Sequence, residues 1–185
     1  MLHLATHGKA LGGENSYLET RDGRITIKQL LELDFSAIEM VVISGCDGLL
    51  DKASDSPQNH NQQDPDSEFG IGGAILKQGA ESILSSLWLV EDVSTMSMMR
   101  TFYQILSQKR GLTRAQVLQE AQLAMIEERV FIENNGTLFV YKPKPTEEEP
   151  NPQPITRNVP KTQVPFWNFQ DPYFWSAFEL LGNAY

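Results

Sequence analysis

Residues 41–48 read "VVISGCDG" and hold the only cysteine of the 185-residue chain. Together with the residues before it, "IEMVVIS" (38–44) forms a compact, β-branched apolar run that ends before a glycine. An apolar run without alternation predicts a central strand buried on both faces, the habit of parallel sheets. A free thiol is most often a small core residue. Here it follows the strand and sits between Gly45 and Gly48, a setting that packing does not require. A nucleophile does require it, because glycine lets another backbone approach closely.

A second strand of similar kind opens the chain. "MLHLATHG" (1–8) is a short apolar segment ending at His7-Gly8. In a parallel sheet the carboxyl ends of neighbouring strands lie side by side, and ligands bind there. If the two strands are neighbours, His7 and Cys46 face one crevice, the layout of a thiol nucleophile with an imidazole partner. The imidazole lowers the thiol pKa and protonates a leaving amine. The backbone N–H groups of Gly8 and Cys46 are the candidate oxyanion donors. His3, at even spacing from His7, reads as a core or supporting group.

The remaining segments supply an α/β scaffold. "SYLETRDGRITIKQLLEL" (16–33) places Asp22-Gly23 between alternating residues, a hairpin signal. "FGIGGAILKQGA" (69–80) reads as a short helix stopped by Gly79, and "GIGG" as tight packing, since a phosphate loop would need a following Lys-Ser/Thr. "ESILSSLWLV" (81–90) is strand-like. In "EDVSTMSMMRTFYQILSQKRG" (91–111), Met96, Met99, Phe102, Tyr103 and Leu106 share a helical face that predicts the core side, with Gly111 as the stop. Thr113 with Gln116 forms a capping-box pattern before the next helix. This order of strands and helices predicts an α/β layer architecture with a largely parallel sheet.

Two segments stand apart. Residues 51–68, which include His60, are polar with two prolines and read as a surface loop. Residues 129–170 carry one more hairpin, in "ENNGTLFVYK", and a proline-rich charged stretch with acids at Glu147 and Glu149 that reads as extended or disordered. "DPYFWSAFELLG" (171–182) returns to the core, and Trp167 and Trp175 are expected to cover the far edge of the sheet. There are no internal repeats.

With 24 acidic against 15 basic residues the net charge is −9, which argues against nucleic-acid binding through clustered Lys/Arg. No stretch approaches the ~18 apolar residues that cross a bilayer, and no secretory leader is read. A single cysteine fits a reducing compartment. These features lead to the expectation of a cytoplasmic protein with no membrane, metal or cofactor requirement.

The blocks "LHLATHG", "VVISGCDG", "GIGGAILKQGAESILSSLWLVEDVSTMSMMRTFYQIL", "LTRAQVLQEAQLAMI" and "DPYFWSAFELLG" resemble, in order, those of a CHAT domain. CHAT domains are caspase-like clan CD cysteine peptidases, similar to separase and often attached to tetratricopeptide repeats in bacteria. The resemblance implies one CHAT domain over 1–185, a caspase-like three-layer αβα sandwich, and His7 with Cys46 as the dyad. It implies hydrolysis of a protein or peptide substrate, with activation by a partner or fused sensor domain. Separase-like members carry an acidic residue shortly after the "LW" of the following strand, in the pocket for the P1 side chain. "LWLVED" offers Asp92, beside Glu91, so the implied P1 preference is basic. Asp92 is equally suited to cap the helix expected from about Ser94.

The chain also departs from the pattern. The block around the cysteine is "SGCDGLL" rather than S-A-C-x-T-G, so Asp47 follows the thiol directly. Asp47 either borders the P1 pocket or raises the thiol pKa. Asp171 stands where the family has a histidine and is read as structural. Further strands precede the histidine strand in the family; their apparent absence leads to the expectation that this strand is an exposed edge. The alternative function is a CHAT scaffold without catalysis, an interaction module, and a thiol-dependent transferase would use the same residues.

Overall fold

The computed structural model describes residues 1–9, 16–47, 70–108, 111–133, 137–147, 149–160 and 169–185, with residues 45–47 described by their backbone. The expected loop at 51–68, His60 and Trp167 lie outside the described residues. Two units divide the chain, one of residues 1–90 and 177–184, the other of residues 91–176 and 185.

The first unit is built on a six-stranded sheet. Its strands are β1 (Leu2–Lys9), β2 (Tyr17–Thr20), β3 (Gly23–Thr26), β4 (Met40–Asp47), β5 (Ser82–Ser86) and β9 (Phe178–Gly182), in the order β3-β2-β1-β4-β5-β9. β1, β4 and β5 pair in parallel, while β2 and β9 run the other way, so four of the six strands share one direction. Met40, Val41, Val42 and Ile43 are each at most 2% exposed, the two-sided burial expected of an unalternating apolar run. Cross-strand register aligns Leu2 with Val41 and Val41 with Ile83. On that face pack the helices α1 (Ile27–Leu30) and α2 (Gly70–Lys77) through Ile27, Leu30, Ile71, Ala74 and Ile75. Each fully buried aliphatic side chain of this kind contributes about 1.5–3 kcal/mol.

The strand that bears His7 is not an edge, contrary to expectation. The 16–26 segment folds back as the β2–β3 hairpin and covers the side of β1 away from β4. Alternation in the sequence shows a hairpin but does not say which strand it joins. The turn also differs by one residue. Thr20 pairs with Gly23, leaving Arg21-Asp22 as the loop, and positive φ falls on Gly23 alone, at 144°.

Local signals formed as expected at two helix ends, the Gly79 stop and the Thr113–Gln116 cap. Gly79 closes α2 at φ 101°, with Gly79 N–H on Leu76 O and Ala80 N–H on Ile75 O, the paired bonds of a Schellman motif. Thr113 and Gln116 exchange both capping-box bonds at the start of α4 (Arg114–Ile126), and Thr26 with Gln29 does the same for α1. Asp171 accepts from Tyr173 N–H and caps α5 (Pro172–Trp175), which bears out its structural reading.

The second unit contains α3 (Asp92–Gln108), α4, α5 and a three-stranded antiparallel sheet of β6 (Val130–Glu133), β7 (Leu138–Tyr141) and β8 (Ile155–Asn158). β8 arises from the stretch read as extended or disordered. The buried face of α3 is Ser94, Ser97, Met98, Met99, Thr101, Phe102 and Ile105; of the expected stripe Met99 and Phe102 are buried, while Met96, Tyr103 and Leu106 are half-buried, so the face is rotated from it. Two of the hydroxyls explain the rotation. Ser94 Oγ donates to Glu91 O at 2.9 Å and Thr101 Oγ1 to Ser97 O at 2.8 Å. Back-bonded to the helix, Ser and Thr can be buried, so an apolar count alone misplaces the face.

α4 ends in the same two-bond closure as α2, but without glycine. Glu128 N–H reaches Met125 O, Arg129 N–H reaches Ala124 O, and Glu128 holds φ 55°. A side chain at that left-handed position costs about 1 kcal/mol relative to glycine. Glu128→Gly is therefore expected to raise stability by at most about 0.6 kcal/mol after the added freedom of the unfolded chain is counted. An increase in the urea midpoint at unchanged m-value checks this.

Candidate functional site

The site is built from the ends of β1 and β4. From Leu2 to Ala5 the two strands run in plain register against Val41 to Ser44, and Gly8 and Lys9 then pair with Cys46 and Asp47. Three steps on β1 match two on β4, so β1 carries one extra residue, a β-bulge at Thr6-His7 opposite Gly45. An unbroken ladder from Ala5 and Ser44 would set His7 against Cys46. The bulge moves the register by one, so Gly8 takes that place and His7 immediately precedes it. Bulges re-aim side chains and are frequent beside active sites.

Several contacts hold the bulged segment. Gly8 and Lys9 pair with Leu18 and Tyr17 of β2 on the far side, and Thr6 Oγ1 donates to Glu19 O. Three residues before the bulge, His3 Nε2 and Ser44 Oγ are 2.8 Å apart and tie β1 to β4 by side chains. Partial burial holds the His3 imidazole below its ordinary pKa, which favours its neutral form. The supporting reading of His3 stands; its partner Ser44 had no sequence signal beyond lying two residues before the cysteine. Through the bulge the exposure of β1 alternates unbroken, with His3, Ala5 and His7 exposed and Leu4 and Thr6 half-buried.

The other expected residues are placed as follows. Gly8 and Cys46 are brought together by register, and Asp47 is paired with Lys9 in the same ladder. Asp92 is the first residue of α3, in the second unit, and is exposed. The helix thus starts two residues earlier than expected, and Asp92 lies within its first turn, where a carboxylate complements the helix dipole. Glu91 supplies the carbonyl that Thr95 N–H and Ser94 Oγ use. Trp175 Nε1 donates to Gln170 O, and the far sheet edge is formed by β9. Among the described residues no group of His, Cys, Asp and Glu is arranged to hold a metal ion, and no helix is long and apolar enough to cross a membrane.

A family model, the CHAT domain, matches residues 1–183. The chain belongs to the CHAT family. The CHAT domain is related to caspase-like cysteine peptidases, and the mixed sheet with its helices is compatible with the caspase-like αβα sandwich. Among curated proteins none matches this CHAT chain.

Proposed function

We propose that this CHAT chain is a cysteine endopeptidase with Cys46 as nucleophile and His7 as its acid–base partner. The observation that carries the reading is the register of two parallel strands, in which Gly8 pairs with Cys46 directly after a bulge at His7. Position 46 lies two residues beyond Ser44, whose hydroxyl meets His3 on the exposed side of β1. Relationship of the family to caspase-like peptidases supports the same chemistry.

In this mechanism the Cys46 thiolate adds to the peptide carbonyl carbon. The negative oxygen that forms is met by the N–H groups of Gly8 and Cys46. As the tetrahedral species collapses, the C–N bond breaks and imidazolium at His7 gives its proton to the departing amine. Water then adds to the thioester, with His7 taking a proton, and the carboxylate product leaves as the thiolate returns. Asp92 and Asp47 are proposed to favour a basic P1 side chain, and activation by a partner or fused sensor domain is proposed to govern turnover. The chain is read as acting in the cytoplasm, on protein or peptide substrates.

The test is labelling by a peptidyl acyloxymethyl ketone with arginine at P1, applied to the chain alone and within its longest native gene product. Labelling of the wild type that Cys46→Ala abolishes is the expected result. Silence of both proteins, or labelling that survives Cys46→Ala, contradicts the peptidase reading and favours the CHAT scaffold.

A further inference from the structure

The second unit contains a half-open groove of about 200 Å3 lined by Arg100, Tyr103 and Gln104 of α3, Phe139 of β7, and Ile155 and Arg157 of β8. The three helical residues follow i, i+3, i+4 spacing and so share one face. Phe139 pairs in register with Arg157 on the neighbouring strand, and the Arg100 guanidinium lies over the Phe139 ring at 6.0 Å. Two cations therefore flank one buried aromatic ring.

Neither arginine pairs with a carboxylate among the described residues. The contrast within the unit is plain, since Arg129 takes both Glu120 at 3.1 Å and Glu127 at 2.7 Å. In a chain with 24 acids, a groove with two arginines and no acid among the described residues of its wall carries a positive field. Tyr103 adds no negative charge, because burial pushes its phenol up to about 12, and Gln104 offers an amide donor.

Size and setting narrow the occupant. The volume is below the roughly 300–1,000 Å3 of pockets that enclose a whole small-molecule ligand, and suits one side chain. β8 is one of the two outer strands of the three described in this sheet, and outer strands accept an extended peptide by main-chain pairing. We propose that this groove is a docking site for an extended acidic peptide, with one Asp or Glu carboxylate held between Arg100 and Arg157 and a neighbouring apolar side chain against Phe139 and Ile155. This inference does not depend on the peptidase reading.

The experiment is fluorescence anisotropy with a dye-labelled peptide Ser-Val-Glu-Leu-Glu-Ser, its Gln-for-Glu counterpart, and the full chain carrying Cys46→Ala, so that no cleavage interferes. Saturable binding of the Glu peptide is expected, weakened at least about tenfold in the Gln peptide, as loss of a charge-assisted pair implies. Arg157→Gln, at an exposed position that leaves the core untouched, is expected to weaken the Glu peptide to a similar degree, and Arg100→Gln likewise. Equal binding of both peptides, indifference to Arg157→Gln, or no binding at up to about 1 mM, a concentration at which even a weak peptide site fills, overturns the proposal. Ketone labelling of the wild type is unaffected by any of these outcomes, so the two readings fail separately.

Discussion

His7→Ala is expected to lower kcat/KM for a peptide substrate by about 10³-fold, within the range that a positioned acid–base group supplies, while the protein stays folded. The first half follows from the loss of both the proton donor for the amine and the cation beside the thiolate. The second half follows from the surroundings of the side chain. The imidazole is exposed and no hydrogen bond or ion pair ties it to another described residue. β1 is held instead by the backbone pairs of Gly8 and Lys9, by Thr6 Oγ1 on Glu19 O, and by His3 with Ser44. A surface change of this kind stays within about 0.5 kcal/mol in stability. Parallel kinetics and urea melts check it: equal losses in activity and stability would mean that His7 is structural.

Gly182→Ala is expected to cost about 3–4 kcal/mol, the sum of backbone strain and overpacking. Gly182 ends β9 at φ 90°, and a Cβ there would sit 2.4 Å from Glu81 O and 3.1 Å from Ser82 Cα. No side-chain rotation relieves contact with a carbonyl, and this carbonyl accepts Asn183 N–H at 2.7 Å. Moving it therefore breaks the closing bond beyond the β5–β9 ladder, at the Ser82–Gly182 pair. Gly111→Ala is the control. Its φ is 94° but nothing lies within 4 Å of the added carbon, so only the dihedral cost of about 1–2 kcal/mol remains. Similar urea midpoints for the two variants would show that the Glu81 contact relaxes.

What could be read ahead of the structure was local and patterned. The two-sided burial of Met40–Ile43, the Gly79 stop and the Thr113–Gln116 cap each rest on a few neighbouring residues. The equivalent cap at Thr26–Gln29 carries the same signal inside a segment whose alternation points to a hairpin. Long-range pairing was less accessible. That β2–β3 joins β1, that β8 joins β7, and that β1 slips one residue against β4 are choices of partner and register, which the alternation of a single strand does not encode. The buried face of α3 includes Met99 and Phe102 of the expected stripe but is rotated from it, because Ser94 and Thr101 satisfy their hydroxyls on backbone carbonyls one turn back. At the site, the chemistry-bearing residues stood out by type and by their glycine neighbours. The bulge that relates His7 to Cys46 did not, since it comes from pairing rather than composition.

Because Cys46 is the only thiol, its reactivity can be followed without interference. The rate of iodoacetamide alkylation against pH, in the wild type and in His7→Ala, tests the proposed pair most directly. An imidazolium beside the thiol favours the thiolate, so the wild type is expected to titrate at least about one unit below the ordinary thiol value of ~8.5, and His7→Ala to move back toward it. An apparent pKa at or above the ordinary value in both proteins would mean that Asp47, or the absence of any imidazole contact, governs the cysteine, and the dyad would be wrong.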